Sequence, residues 1–258
     1  MSASALQNAP RPGAIVPIEL GVASGVWLAT DLGAMPETCV STGWEALDAE
    51  LPGGGWPCNA IVECLSAAPA NFEWRLTTPA LRTLVTEGKP AIAIGPPRQP
   101  NMPGLTHGGI GGSGLVWIKA EKPAERLWMT EQAIRANSAA AVLAWLPQAR
   151  PEQIRRLQVL AQGNDSPVFL FRPADALLQP SAAPLRVMVG IGVDWELRVS
   201  IPKRRGPPLE GELRLPSVPG GLARVLTPRS SKPSRLAAVA PRRTRDVVGH
   251  PQTVAALA

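Results

Sequence analysis

Residues 41–57 read STGWEALDAELPGGGWP, and residues 60–65 read AIVECL. Ser41 and Thr42 are N-capping residue types in front of a short stretch with apolar residues on one side, which predicts a helix. Residues 52–57 contain three glycines and two prolines, which predicts a loop. The apolar run at 60–65 predicts a buried strand. A helix, a loop and a buried strand in this order indicate the first elements of a folded core.

Strands and helices alternate along the rest of the core. Further strands are predicted at residues 90–94, 115–118, 139–146, 168–171 and 185–193, and helices at residues 72–87, at 124–137 and from Pro151 onward. Residues 194–201 alternate between apolar and polar side chains, which is typical of a half-exposed edge strand, and Leu213 and Leu215 close a hairpin with it. This pattern predicts an α/β fold: a mainly parallel sheet flanked by helices, with antiparallel strands at its C-terminal edge.

Charge and composition divide the chain into three parts. Residues 1–216 carry 19 basic and 19 acidic side chains, whereas residues 217–258 carry seven basic and one acidic, so the net charge of +6 lies entirely in the last segment. That segment has little apolar periodicity, which predicts a disordered basic tail with affinity for an acidic partner. Residues 1–37 are rich in Pro and Ala and are predicted to form an N-terminal arm. Residues 38–216 remain as the core.

The sequence argues against several classes of protein. The longest clean apolar run, at 139–146, has eight residues, whereas a membrane-spanning helix needs about 20. The first residues lack the charge and hydropathy pattern of a secretory signal. Cys39, Cys58 and Cys64 form no CxxC pair, so a disulfide scaffold and a four-cysteine zinc site are not expected. These features favour a cytoplasmic protein with reduced thiols.

Catalytic and cofactor motifs are also missing. Residues 109–114 match GxGxxG, but a strand follows them where a dinucleotide site requires a helix. The two histidines, His107 and His250, accompany no nucleophile or metal motif. We therefore expect no cofactor, no metal and no hydrolytic activity.

The segment 41–65 resembles the entry to the ATPase core of RecA-like recombinases. In that family a phosphate-binding loop, GxxxxGK[ST], follows the first strand. Laid on this chain without gaps, the loop falls on residues 66–73, where Ser66 and Asn71 replace its glycines, Phe72 replaces its lysine and Glu73 replaces its hydroxyl residue. The Mg²⁺-binding carboxylate aligns with Trp145. The resemblance thus implies a RecA-like fold whose nucleotide site has degenerated, because lysine and glycine are the groups that hold phosphate.

One family is more similar than RecA itself. Several short motifs in order resemble ImuA, a family of bacterial accessory proteins of damage-induced translesion synthesis. They are Val26-Trp27, Leu47 to Pro57, Glu73-Trp74-Arg75-Leu76, Ile94 to Pro97, Val142 to Pro147, Arg155 to Gln158 and Phe169 to Pro173. The likeness covers residues 26–215.

The resemblance to ImuA implies a non-catalytic adaptor. Such a protein would act in the SOS response and DNA repair, in a mutasome with ImuB, an inactive relative of the Y-family polymerases, and an error-prone polymerase III catalytic subunit. RecA or its filament is a further partner that a RecA-like surface allows, and the basic tail is a candidate contact for DNA.

Two other functions stay open at this point. Residues 124–173 are similar to the central part of SulA, the SOS-induced cell-division inhibitor that binds FtsZ. An active RecA-like ATPase is the second alternative.

Some residues have a structural and a functional interpretation. Trp74 and Arg75 are candidate partner contacts, or a surface turn of a helix. Trp74, Trp128 and Trp145 are expected in the core, or as anchors for a partner. The run 203–205, Lys-Arg-Arg, is either a solvated turn or a contact for DNA or protein. Arg242, Arg243 and Arg245 are the candidate contacts for DNA or an acidic partner in the tail.

Overall fold

The central element of the computed structural model is an eight-stranded β-sheet, with helices on both faces. The structure describes residues 38–67, 72–207, 209–219 and 222–234. The predicted N-terminal arm at 1–37, Asn71, and residues 235–258 with Arg242, Arg243 and Arg245 lie outside these ranges.

The elements follow one another mostly as strand and helix. The strands are β1 (Cys39–Val40), β2 (Trp56–Pro57), β3 (Ile61–Ser66), β4 (Ala91–Ile94), β5 (Leu115–Ile118), β6 (Ala141–Trp145), β7 (Val168–Pro173), β8 (Leu185–Ile191), β9 (Glu196–Lys203) and β10 (Leu213–Pro216). The α-helices are α1 (Glu45–Asp48), α2 (Glu73–Leu84), α3 (Met102–His107), α4 (Pro123–Ala136) and α5 (Pro151–Ala161).

The strand order in the sheet is β10-β9-β8-β3-β7-β6-β4-β5. The strands from β8 to β5 pair in parallel, and β9 and β10 add antiparallel strands at one edge. The α/β class, the mainly parallel sheet and the antiparallel edge are therefore confirmed. The small hairpin of β1 and β2 lies apart from this sheet and is antiparallel.

The side chains of the central strands pack in two hydrophobic cores, one on each face of the sheet, because successive side chains of a strand point to opposite faces. One core joins the sheet to α1, α2 and α3 and contains the largest buried aromatic side chains, among them Trp56 and Phe169, whose rings meet edge to face at 5.3 Å. The other core joins the sheet to α4 and α5 and is built from aliphatic side chains such as Ile61 and Leu157. The described part of the chain has no helix long and apolar enough to cross a membrane.

Two local predictions can be compared directly with the structure. The glycine-rich stretch from Gln99 to Gly114, expected to be a loop, contains α3, which starts where the Asn101 side chain accepts a hydrogen bond from the Gly104 N–H at 3.3 Å. The hairpin predicted at Leu213 and Leu215 is confirmed, because β10 pairs antiparallel with β9, and β10 rather than β9 therefore forms the edge of the sheet. Helix α3 and the segment 217–219, which follows β10, line the groove described below.

The first residues of the basic segment contact the core. The Ser217 N–H donates to the Trp195 carbonyl at 2.8 Å, and Ser217 is buried. The Trp195 indole N–H donates to the Ser230 carbonyl at 3.0 Å, and Ser234 donates to the Asp194 carboxylate. The predicted boundary between residues 216 and 217 thus separates residues that hydrogen-bond to each other.

Truncation after residue 216 is expected to destabilise the protein, and truncation after Ser234 is expected to leave its stability nearly unchanged. The shorter chain loses Ser217 and Ser230, so Arg75 and Trp195 lose hydrogen-bond partners, which costs about 1–3 kcal/mol. In a domain of this size the melting temperature should fall by about 2–12 °C. Thermal unfolding of both truncated chains beside the full chain measures the effect, and equal melting temperatures would show that residues 217–234 add no stability.

Candidate functional site

The candidate site lies where β3 ends and α2 begins, the position at which a phosphate-binding loop would join them. Ser66 is the last residue of β3 and is buried, and α2 starts at Glu73 with Phe72 as its N-cap residue. β3 has a parallel neighbour on each side, β8 and β7, so its carboxyl end is inside the sheet. In open α/β sheets this edge is where ligands bind.

The Glu73 carboxylate occupies the N-terminus of α2. It accepts a hydrogen bond from the Phe72 N–H at 3.1 Å and another from the Trp145 indole N–H at 3.1 Å, and the residue is buried. A negative group is favoured at a helix N-terminus because the free N–H groups there carry partial positive charge. A carboxylate of the chain itself therefore occupies the N-terminus of α2.

Four aromatic side chains close the space around this carboxylate. The Trp145 ring lies 4.6 Å from that of Phe171 and 5.6 Å from that of Trp74, and the Phe72 ring meets Phe171 edge to face at 6.1 Å. Phe72, Trp145 and Phe171 are buried, and Trp74 is half-buried. Phe72 and Trp145, which the resemblance to RecA-like ATPases aligns with the lysine and the metal carboxylate, belong to this cluster, which we call the aromatic plug.

The buried thiol of Cys64, on β3, is neutral at ordinary pH. Burial, followed by the nearby negative charges of Glu73 and Glu63, holds the pKa of the Cys64 thiol well above its ordinary value. Burial likewise raises the pKa of Cys58 to about 11. Thiolate chemistry at these two positions is therefore suppressed at neutral pH.

The other two predicted site residues, Trp74 and Arg75, lie on the outer side of α2. They line an open groove of about 450 Å³ between α2, α3 and the segment 217–219, which we call the α2–α3 groove. Arg75 donates through Nε to the Ser217 carbonyl at 3.2 Å and through Nη2 to the Ser217 hydroxyl at 2.5 Å. The structure thus brings Trp74 and Arg75 to one surface, next to the plug.

The sequence motif around Gly43 forms one end of this groove. Gly43 has a φ of +77°, and a Cβ at this position would lie 2.5 Å from the Pro79 Cβ atom. The Trp44 indole N–H donates to the Leu76 carbonyl at 3.0 Å, and the Asp48 carboxylate accepts from the Thr42 N–H at 2.8 Å. Glycine is required here because the turn must approach α2 closely. The residues 41–48 therefore fix an indole on the wall of the groove.

A buried ion-pair cluster, which the sequence analysis did not identify, lies on the opposite face of β3. Glu63 is fully buried between Arg172 of β7 and Arg186 of β8, with its carboxylate oxygens 2.5 Å from Arg172 Nη1 and 2.8 Å from Arg186 Nε. The two arginines also donate to the Ala149 and Ala176 carbonyls. The signal in the sequence was one acidic and two basic residues inside apolar strands, which need partners when they are buried.

Other predicted contacts have structural explanations. Arg204 of the run 203–205 pairs with Glu50 at 3.2 Å and also donates to the Glu50 carbonyl, and Lys203 donates to the Ser181 carbonyl at 2.8 Å. Trp128, expected in the core, is 55% exposed on α4, whereas Trp145 is 3% exposed. The GxGxxG match at 109–114 is followed directly by β5, so it lacks the helix that a dinucleotide site needs. The described ranges contain no cluster of three or more metal-ligating side chains.

No model of a known protein family matches this chain, and no curated protein sequence matches it significantly.

Proposed function

We propose that the protein is a non-catalytic adaptor with a RecA-like fold, which joins a damage-induced translesion synthesis complex through protein contacts. The observation that carries this proposal is the Glu73 carboxylate at the start of α2, bonded to Trp145 and enclosed by Phe72 and Phe171. A nucleotide phosphate at this helix would meet the Glu73 carboxylate where an ATPase has its metal-binding hydroxyl, and the apolar Phe72 ring where an ATPase has its lysine. The motifs that resemble ImuA supply the biological setting.

The position of the site also favours the RecA-like interpretation of the fold. A phosphate-binding loop requires a strand, a short loop and a helix in that order. β3 precedes α2 along the chain, and β3 lies in the interior of the sheet with a parallel neighbour on each side. An adaptor of this kind keeps the scaffold of an ATPase and uses its surface for binding.

The first test is nucleotide binding. Equilibrium titration with fluorescent ATP and Mg²⁺ is expected to show no saturable binding up to about 1 mM, equivalent to a binding free energy weaker than about −4 kcal/mol. RecA measured in parallel confirms that the assay detects binding. Micromolar affinity with turnover, lost on substitution of residues 66–73, would instead support the ATPase.

The second test concerns the partners. Purification of the tagged protein from damage-treated cells is expected to recover an ImuB-type protein and the error-prone polymerase III subunit, with RecA as a further candidate. Recovery of FtsZ, together with inhibition of its assembly by the purified protein, would support a division inhibitor of the SulA type. Cells without damage are the control, because the complex is proposed to be induced.

We also propose that the basic tail gives the complex affinity for DNA, independent of sequence. Binding of single-stranded DNA should weaken with salt, with a log–log slope of up to about −5 for seven phosphate contacts. Changing Arg242, Arg243 and Arg245 together to Ala should make this slope shallower by about 2. A matched triple change of the exposed Arg98, Arg135 and Arg155 should leave it unchanged. Fluorescence anisotropy at several salt concentrations measures both, and an unchanged slope in the tail variant would assign its charge to a protein partner.

A further inference from the structure

The α2–α3 groove has walls that are already fixed in position. Trp74 packs against the buried Trp145, and Trp44 is held by its hydrogen bond to the Leu76 carbonyl. Both indoles are half-buried, so part of each ring faces the groove. Rigid aromatic walls reduce the entropy lost when an apolar side chain binds between them. The groove can therefore accept one large apolar side chain of a ligand.

The charge of the groove is positive and uncompensated. Its lining includes the cations Arg75 and Arg82 and contains no carboxylate among the described residues. The Ser217 oxygens use two of the five N–H donors of the Arg75 guanidinium, and neither arginine makes a salt bridge in the described part of the chain. Burial lowers the pKa of Arg75, since no nearby carboxylate offsets its desolvation. A half-buried cation without a counter-charge favours a ligand that brings the carboxylate with it.

We infer that the α2–α3 groove is the docking site for a short acidic peptide segment of a partner protein, with one aromatic or large aliphatic side chain bound between Trp44 and Trp74 and its carboxylates paired with Arg75 and Arg82. The choice of a short acidic peptide as the ligand follows from charge complementarity and from the size of the groove. The groove volume of about 450 Å³ is at the lower end of the range for ligand pockets, and it fits one anchor side chain rather than a helix. The inference deepens the proposed adaptor function, on which it rests, by stating what its partner presents.

Single-stranded nucleic acid is the competing ligand, because its phosphates and bases also suit arginine and indole. The arrangement favours a peptide for a geometric reason. A strand of nucleic acid needs a basic track that follows successive phosphates, whereas the described lining of this groove has two arginines, Arg75 and Arg82, about two turns apart on α2, together with Pro79, Leu105 and Pro219. A single local pair of cations matches the carboxylates beside one anchor residue.

The test is fluorescence anisotropy of the purified full chain with a labelled peptide of about ten residues, in which Asp and Glu flank a central Phe. A micromolar Kd is expected. Replacing the acidic residues by Asn and Gln should weaken binding at least about tenfold, and so should replacing the Phe by Ala. Added salt should weaken binding further. An oligonucleotide of about ten thymidines is the comparison ligand.

Variants assign the binding to the groove. Arg75→Gln should weaken binding of the acidic peptide at least about tenfold. This change also removes the hydrogen bonds to Ser217, so a second variant at the exposed Arg82 is needed. Arg82→Glu should weaken binding of the acidic peptide and strengthen binding of a version in which Lys replaces the acidic residues. The matched control is Arg155→Gln, an exposed arginine on α5, which should leave the Kd unchanged within about twofold.

The outcomes separate this inference from the adaptor proposal. Equal binding of the neutral and acidic peptides, no peptide binding at all, or tighter binding of the oligonucleotide with loss on Arg82→Glu would each overturn the peptide inference. In those cases, recovery of the polymerase partners from damaged cells would still support the adaptor. If the peptide binds as expected but only FtsZ is recovered, the groove inference stands and the translesion proposal fails.

Discussion

Replacing Glu63 by alanine is expected to lower the free energy of unfolding by about 3–5 kcal/mol. The substitution leaves Arg172 and Arg186 buried without a counter-charge, and breaking a buried ion pair by removing one partner is strongly destabilising. For a domain of this size the melting temperature should fall by about 6–20 °C. Denaturant and thermal unfolding measured by circular dichroism quantify the change.

Two further variants separate charge from packing at this cluster. Replacing Glu63, Arg172 and Arg186 together by Met or Leu should recover much of the loss, because apolar groups of similar size remove the uncompensated charges. Glu121→Ala is the control, since its pair with Lys119 is exposed and is expected to contribute about 0–1 kcal/mol. A loss below about 1 kcal/mol for Glu63→Ala would show that the two arginines find other partners.

The cluster matters for the site because it holds the strands that build it. Glu63 belongs to β3, Arg172 follows Phe171 on β7, and Arg186 lies on β8. The ion pairs connect these three neighbours on the side of the sheet that faces α5, while the aromatic plug connects β7, β6 and α2 on the other side. The two networks together fix the carboxyl end of β3 from both faces.

Most of the parallel sheet could be predicted from the sequence. Its strands are short apolar runs, most of them bounded by glycine or proline. The strands predicted at residues 115–118 and 168–171 agree with the observed β5 and with the start of β7. α5 begins at Pro151, the first residue of the predicted helix. Local composition determines these elements, so a single sequence was sufficient.

The remaining features depend on contacts between distant residues. α3 lies in a segment with six glycines and is not predicted by propensity, but Leu105 is buried against the α1–α3 core. The sequence pointed to Trp74 and Arg75, but not to Ser217, which lies 142 residues away from Arg75 and orients its guanidinium. The substitutions at Phe72, Glu73 and Trp145 were visible as losses from a phosphate site. Their direct contact with one another became evident only in the structure.

Trp145→Ala is expected to destabilise the protein by about 3–5 kcal/mol, because the indole fills the space between Trp74 and Phe171. Trp145→Phe keeps most of the ring contacts and removes the donor to the Glu73 carboxylate, so a smaller loss of about 1–3 kcal/mol is expected. Denaturant unfolding distinguishes the two values. Trp128→Ala is the matched control, since its exposed ring should contribute within about 0.5 kcal/mol.

A double-mutant cycle tests whether Glu73 and Trp145 act as a pair. Combining Trp145→Phe with Glu73→Leu should cost less than the sum of the single changes, with a coupling of about 0.5–3 kcal/mol, because the second change removes the carboxylate that the first leaves without a donor. Strictly additive losses would show that the hydrogen bond adds nothing beyond packing.

The same variants also test whether the site around Glu73 and Trp145 binds a nucleotide or is occupied by these side chains alone. If Glu73 and Trp145 replaced a nucleotide in evolution, their substitution changes the stability of the protein and leaves its response to ATP unchanged. Adding ATP and Mg²⁺ should then shift the melting temperature of neither the wild type nor the variants, since a ligand stabilises a protein only in proportion to its binding. A shift in the wild type that disappears in Glu73→Leu would mean that this carboxylate serves a bound nucleotide, and the adaptor proposal would then fail at its central observation.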